Sequence, residues 1–207
     1  VDPRYTRTSA ACDHHVHIRP ETDIAFLSGI IRYLLEKDLW FKEYVLAYTN
    51  ASTIINPNFN FDDATGLFNG WDPVTRSYSK EPNSWDYEYE INPDGSRGAP
   101  KTDPTLQNPR CVFQLLKKQV AKYTPEAVAN ICGCRPCDIV KVAELLAQNS
   151  GPDKTSAFCY ATGFTQHSAG TQIIRTCAIL QTLLGNIGRP GGGILALRGH
   201  SNVQGAT

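Results

Sequence analysis

Apolar residues recur at helical spacing in several stretches, with short extended runs between them. Leu27, Ile30, Ile31, Leu34 and Leu35 form one stripe, preceded by Pro20-Glu21-Thr22-Asp23, a loop offering Thr or Asp as helix cap. A second helix is expected around 39–47. Further on, Val112, Leu116, Val120 and Tyr123 share a face, and Thr124-Pro125-Glu126 has the form of a helix start. Ile139, Val142, Ala143 and Leu146 mark a helix over 138–148. A last long helix carries Ile173, Cys177, Leu180 and Leu184, and Gly185, Gly188 and Pro190 stop it. Strands are expected at the carboxyl end of a segment closing on Val1-Asp2-Pro3-Arg4, at 15–18 and at 155–160. Strands alternating with helices predict an α/β fold with a Rossmann-like, doubly wound sheet and helices on both faces.

One stretch departs from this pattern. From 54 to 108 the chain is dense in Asn, Asp, Pro, Gly and aromatics, with Asn-Pro, Asn-Gly, Asp-Pro and Pro-Asp-Gly turn signals. It reads as a long irregular surface insertion between a first α/β part, 1–53, and a second, 109–207. Trp71, Trp85, Tyr87 and Tyr89 imply that it packs on something, such as a partner subunit. No internal repeat is evident. With 20 basic and 20 acidic residues the net charge is zero. The absence of any basic run argues against nucleic acid or an anionic membrane as partner. Apolar patches are interrupted well short of a membrane span. The opening on Val1 without initiator Met, and the close on Gly205-Ala206-Thr207, read as an internal piece of a longer chain.

The seven cysteines, at irregular spacing, do not suggest a disulfide framework. Cys12-Asp13-His14-His15-Val16-His17 could supply a zinc or copper site, but no second ligand cluster follows, and a polar strand edge accounts for it better. Cys132-Gly133-Cys134-Arg135-Pro136-Cys137 gives three thiols with a cramped first pair, short of the four an iron–sulfur cluster needs; an inter-helix turn fits it. No metal ligand is assigned. There is no Gly-x-Gly-x-x-Gly between strand and helix and no Gly-Lys-Ser/Thr phosphate loop. Two loops following presumed strand ends, Asp2-Pro3-Arg4-Tyr5-Thr6 and Glu21-Thr22-Asp23, stand where α/β sheets bind ligands. A carboxylate there can accept both donors on the Watson–Crick edge of guanine. Taken singly, Asp2 and Asp23 also suit a turn and a cap. The loop from Tyr160 to Gly170, between strand and helix, suits an anion at a helix N-terminus or a plain connection.

Together these segments resemble the bis-pyranopterin-guanine-dinucleotide oxidoreductases of the dimethyl sulfoxide reductase family, and within it the catalytic subunits of respiratory formate dehydrogenases. The matching segments are 2–8, 21–23, 48–52, 103–110, 163–167 and the closing Leu197-Arg198-Gly199-His200-Ser201-Asn202-Val203-Gln204-Gly205. The resemblance implies that Asp2, Pro3, Arg4, Tyr5, Thr6, Glu21, Thr22 and Asp23 hold the guanosine diphosphate part of one pterin cofactor, with Asp23 reading guanine. Thr162, Gly163 and Gln166 would line that cofactor nearer the metal, Arg198 would orient formate, and His200 would neighbour it. It further implies a molybdenum or tungsten bis-molybdopterin guanine dinucleotide and a 4Fe-4S cluster. The cluster's ligands, and the metal-ligating selenocysteine or cysteine, would precede Val1. Partners would be formate, an iron–sulfur beta subunit and a cytochrome subunit, in a periplasmic anaerobic electron-transport chain. The rivals are another member of the superfamily, such as a periplasmic nitrate reductase, and a non-catalytic metal-binding module. The carboxylate-binding Arg198 of the closing motif favours formate.

Overall fold

A computed structural model describes residues 1–79 and 84–199. Two compact units emerge, one built from residues 1–47 and from 119 onward, the other from 48–118. In chain order the first unit opens with α1 (Arg7–Ala11), α2 (Asp23–Glu36) and α3 (Lys42–Tyr48). The second contains the antiparallel pairs β1 (Phe61–Asp62) with β2 (Leu67–Phe68), β3 (Trp71–Asp72) with β4 (Ser77–Tyr78), and β5 (Tyr89–Ile91) with β6 (Arg97–Pro100). After α4 (Val112–Val120), the first unit resumes with α5 (Pro125–Cys132), α6 (Pro136–Gln148), β7 (Ala157–Tyr160), α7 (Thr162–Thr165), α8 (Gly170–Leu183) and β8 (Gly193–Ala196).

The stripe on α2 becomes the centre of the first unit. Ile30, Ile31 and Leu34 are sealed from solvent, and α2 packs against α5, α6 and α8 at once. Each such side chain contributes about 1.5–3 kcal/mol of burial. Gly29 faces Val128 so closely that a Cβ would come within 2.8 Å of its Cγ2, so the α2–α5 approach depends on a missing side chain. Thr124 accepts a hydrogen bond from Ala127 N (3.2 Å) and Pro125 follows, the predicted start of α5. Cys132-Gly133-Cys134-Arg135 is the turn between α5 and α6, with Gly133 left-handed at the cap.

The described sheet of this unit is one parallel pair, β7 with β8, so the observed fold is mixed helix and sheet. Residues 15–18 form no strand. They run extended, tied by Asp2 N donating to Val16 O (3.1 Å), with Val16 and Ile18 buried. Helix α1 carries no apolar stripe and arises instead from a reciprocal cap between Thr6 and Ser9.

In the second unit, 51–56 is the central segment. Ile54 N donates to Lys101 O, Ile55 N to Arg110 O and Val112 N to Thr53 O, around a small core of Ile54, Leu106, Cys111 and Phe113. Contrary to the sequence expectation, an internal repeat is present here. Phe61-Asp62-Asp63-Ala64-Thr65-Gly66-Leu67-Phe68 and Trp71-Asp72-Pro73-Val74-Thr75-Arg76-Ser77-Tyr78 fold as equivalent hairpins ten residues apart. In each, the Asp carboxylate accepts from the backbone N–H two residues on (2.9 Å) and the Thr hydroxyl three residues on (2.7 Å). Only the aromatics, Asp and Thr recur, too few for composition to reveal. These aromatics pack first on one another, Trp71 on Tyr78, Tyr78 on Trp85 and Phe68 on Trp85. Among the described residues no helix is long and apolar enough to cross a membrane.

Candidate cofactor-binding site

The β7–β8 pair organises the site. It is parallel with Ala157 opposite Gly193 and Tyr160 opposite Ala196, and Leu197 N continues the pairing to Tyr160 O (2.7 Å). Parallel strands need a crossover, supplied by α7 and α8. Both strands therefore end at one edge, and the short helix α7 and Arg198 follow directly from it, the place where open α/β sheets receive ligands. The opposite end is locked by two sealed amides. Gln181 Nε2 donates to Ser156 O (2.9 Å) and Gly193 O (2.7 Å). Asn186 Nδ2 donates to Gln181 Oε1 (2.8 Å), while Asn186 Oδ1 accepts from Ser156 N (3.2 Å). Buried amides of this kind are retained only when paired. Sequence reasoning missed both, because on a helical wheel Gln181 passes for a solvent residue.

A cleft of about 220 Å³ lies between β7 and the first turns of α2. Asp23, Phe26, Ile30, Phe158, Cys159 and Phe164 line it, together with Val1 and Ile18. Asp23 stands at the first position of α2, half-buried. Burial pushes its carboxyl above the usual carboxylate range, opposed by a hydrogen bond from its own backbone N–H and by the charge of His167. The loop before it is tightly wound. Glu21 has φ 67°, a strained conformation for a residue with a side chain, and Thr22 Oγ1 donates to Arg19 O (2.6 Å). Thr22 occupies the cap position but spends its hydroxyl on this turn instead of capping. Glu21 Oε1 lies 3.5 Å from His167 Nδ1, which joins the Glu21-Thr22-Asp23 loop to the Thr-Gln-His loop.

The other expected residues divide. Thr162 and Gly163 in α7, and Gln166 just after it, are exposed at the strand edge, and Phe164 among them enters the cleft, stacked on Tyr160. Asp2 Oδ1 accepts from Arg4 N (2.7 Å), a local turn, and Thr6 is committed to capping α1. Pro3, Arg4 and Tyr5 are exposed, with the Tyr5 ring edge-on to His15. Arg198 is exposed just past β8, whereas His200 lies outside the described residues. Among the described residues no three His, Cys, Asp or Glu side chains converge on a metal position. Cys12 Sγ instead donates to Ser9 O (3.0 Å) and His14 O (3.3 Å). Residues that the sequence reading left out of the site include Val1, Phe26, Phe158, Cys159 and Phe164 in the cleft, Arg19 at the turn before it, and the partner role of His167 toward Glu21. A signal for His167 was its place beside Gln166.

No family model matches the chain. It is 52% identical over all 207 residues to the formate dehydrogenase-O major subunit of Escherichia coli (strain K12). It is 47% identical over the same length to formate dehydrogenase 2 subunit alpha (cytochrome c-553) of Nitratidesulfovibrio vulgaris. In each case the whole chain is covered, and it spans about a fifth of the length of those relatives. The fold is like that of acetylene hydratase from Pelobacter acetylenicus, with a TM-score of 0.54 at 19% identity, over 92% of this chain and 17% of that one. By this similarity along its whole length, the chain belongs to the family of formate dehydrogenase major, or alpha, subunits.

Proposed function

We propose that this chain is the part of a formate dehydrogenase catalytic subunit that grips one guanine dinucleotide arm of the cofactor and orients the substrate. The observation that carries the reading is Asp23, a half-buried carboxylate facing a cleft beside the carboxyl edge of two parallel strands. Its acceptor oxygens suit the paired donors of guanine, and Phe164 and Phe26 give the flat apolar walls a base needs. Glu21, Thr22 and the 2–6 loop would hold ribose and phosphate, with Arg4, Tyr5 and Pro3 exposed for that purpose. Thr162, Gly163 and Gln166 would line the pterin arm. In this reading β7 and β8 belong to a larger doubly wound, Rossmann-like sheet.

A bis-molybdopterin guanine dinucleotide carrying molybdenum or tungsten would supply the two-electron redox centre, and a 4Fe-4S cluster would take the electrons onward. Arg198 would bind both oxygens of formate through its planar fork, aim the C–H bond and release neutral carbon dioxide. His200 would border that pocket. An iron–sulfur beta subunit, a cytochrome subunit and a periplasmic setting complete the proposal. Exchange of Arg198 for Lys in the intact enzyme tests it. KM for formate should rise and kcat fall, each by about tenfold, with bound guanine nucleotide unchanged. Unaltered kinetics would remove Arg198 from substrate binding.

A further inference from the structure

The turn that presents Glu21 and Asp23 is held from outside by the end of another helix. The last carbonyls of α5 have no partner within the helix, and Arg19 meets them. Its backbone N donates to Cys132 O (2.7 Å), and its Nη1 donates to Asn130 O (2.6 Å) and Ile131 O (2.9 Å). The guanidinium lies over Gly133, where a Cβ would meet Nε at 3.2 Å and Cζ at 3.3 Å. The contact runs both ways, since Cys132 Sγ donates to Thr22 O (3.5 Å). Arg19 O then accepts from the Thr22 hydroxyl and closes the turn around the strained Glu21. A strained turn keeps its shape only where its surroundings over-determine it. Here those surroundings are the cap of α5.

We propose that Arg19 is a positioning residue for the guanine-reading Asp23. By clamping the 19–22 turn to the carboxyl end of α5, it fixes where the first residue of α2 points. A planar cation suits this place, because its fork spans two neighbouring carbonyls and its charge complements the negative end of the helix. The inference rests on the reading of Asp23 given above. It predicts that the clamp governs base selectivity as well as stability.

The test compares GDP and ADP affinities of the full chain by calorimetry, for the wild type and for Arg19→Lys, Arg19→Gln and Asp23→Asn. The wild type should prefer GDP, and Asp23→Asn should abolish that preference. Both Arg19 variants should lower it by about tenfold, the scale of one lost specific hydrogen bond, with ADP affinity little changed. If neither Arg19 variant folds, Gly133→Ala, which presses on the same guanidinium from beneath, carries the same expectation. An intact GDP preference in the Arg19 variants, or in Gly133→Ala, alongside its loss in Asp23→Asn overturns the positioning role alone. A wild type without GDP preference overturns the reading of Asp23 and the clamp with it.

Discussion

Asp23 shows how a half-buried carboxylate costs the fold. Burial raises its pKa above the ordinary value near 3.8, so the folded chain binds that proton more tightly than the unfolded chain. The contribution to stability is then greatest when Asp23 is protonated and is lost as pH rises through the raised value. At neutral pH Asp23→Asn should therefore melt higher than the wild type, and the gap should close in acid. A melting series from pH 3 to pH 7 checks the sign. Asn186 works the other way. Its amide satisfies Ser156 N, Gln181 Oε1 and two hydroxyls in a sealed position. Asn186→Ala should cost about 2–4 kcal/mol in urea denaturation, because the abandoned Gln181 Oε1 is sealed from water.

Among the elements, the helices that packing demands were legible from spacing alone, and α2 is the clearest. What spacing could not express is how near a neighbour stands. Gly29→Ala should gain about 1 kcal/mol of helix propensity yet lose more to the Val128 contact, for a net loss of about 1 kcal/mol. Pairing it with Val128→Ala should give a double variant more stable than the sum of the two single changes. The repeated hairpins offer a second test. Arg76, at φ 51°, occupies the place of Gly66 in the preceding hairpin. Arg76→Gly relieves a left-handed strain of about 1–2 kcal/mol, partly offset by a more flexible unfolded chain. A small rise in stability is expected by urea titration. Strand 15–18 and helix α1 misled or escaped the pattern for opposite reasons. The first alternates but joins no strand ladder among the described residues, and the second is five residues held by its cap.

Across the whole molecule the carboxylates separate by role. In residues 48–118 Asp62, Asp72, Asp86, Glu88, Asp94 and Asp103 are all held below their ordinary range by hydroxyls, backbone N–H groups or neighbouring cations. Asp103 is lowest, at about 2, accepting from the Thr105 hydroxyl and from the N–H groups of Asn108, Thr105 and Gln107. A depressed pKa gives stability that is complete above the ordinary value near 3.8 and is lost as pH falls toward 2. Solvent reaches and screens these carboxylates, so the hairpin unit should lose part of its stability, and not all its structure, between about pH 4 and pH 2, followed by carboxyl carbon chemical shifts. Asp103→Asn should flatten that dependence.

The sequence by itself determined the helices α2, α5, α6 and α8 of the first unit, the turn-rich middle segment and the family. Each rests on local spacing or on short contiguous motifs, and such signals survive without knowledge of distant neighbours. Only the tertiary structure decided what Asp23 faces, since its cleft draws on α2, β7, α7 and Val1. The same holds for the Arg19 clamp, which joins residues more than a hundred positions apart. Contacts of that separation are set by how the helices pack, and no periodicity along the chain records them.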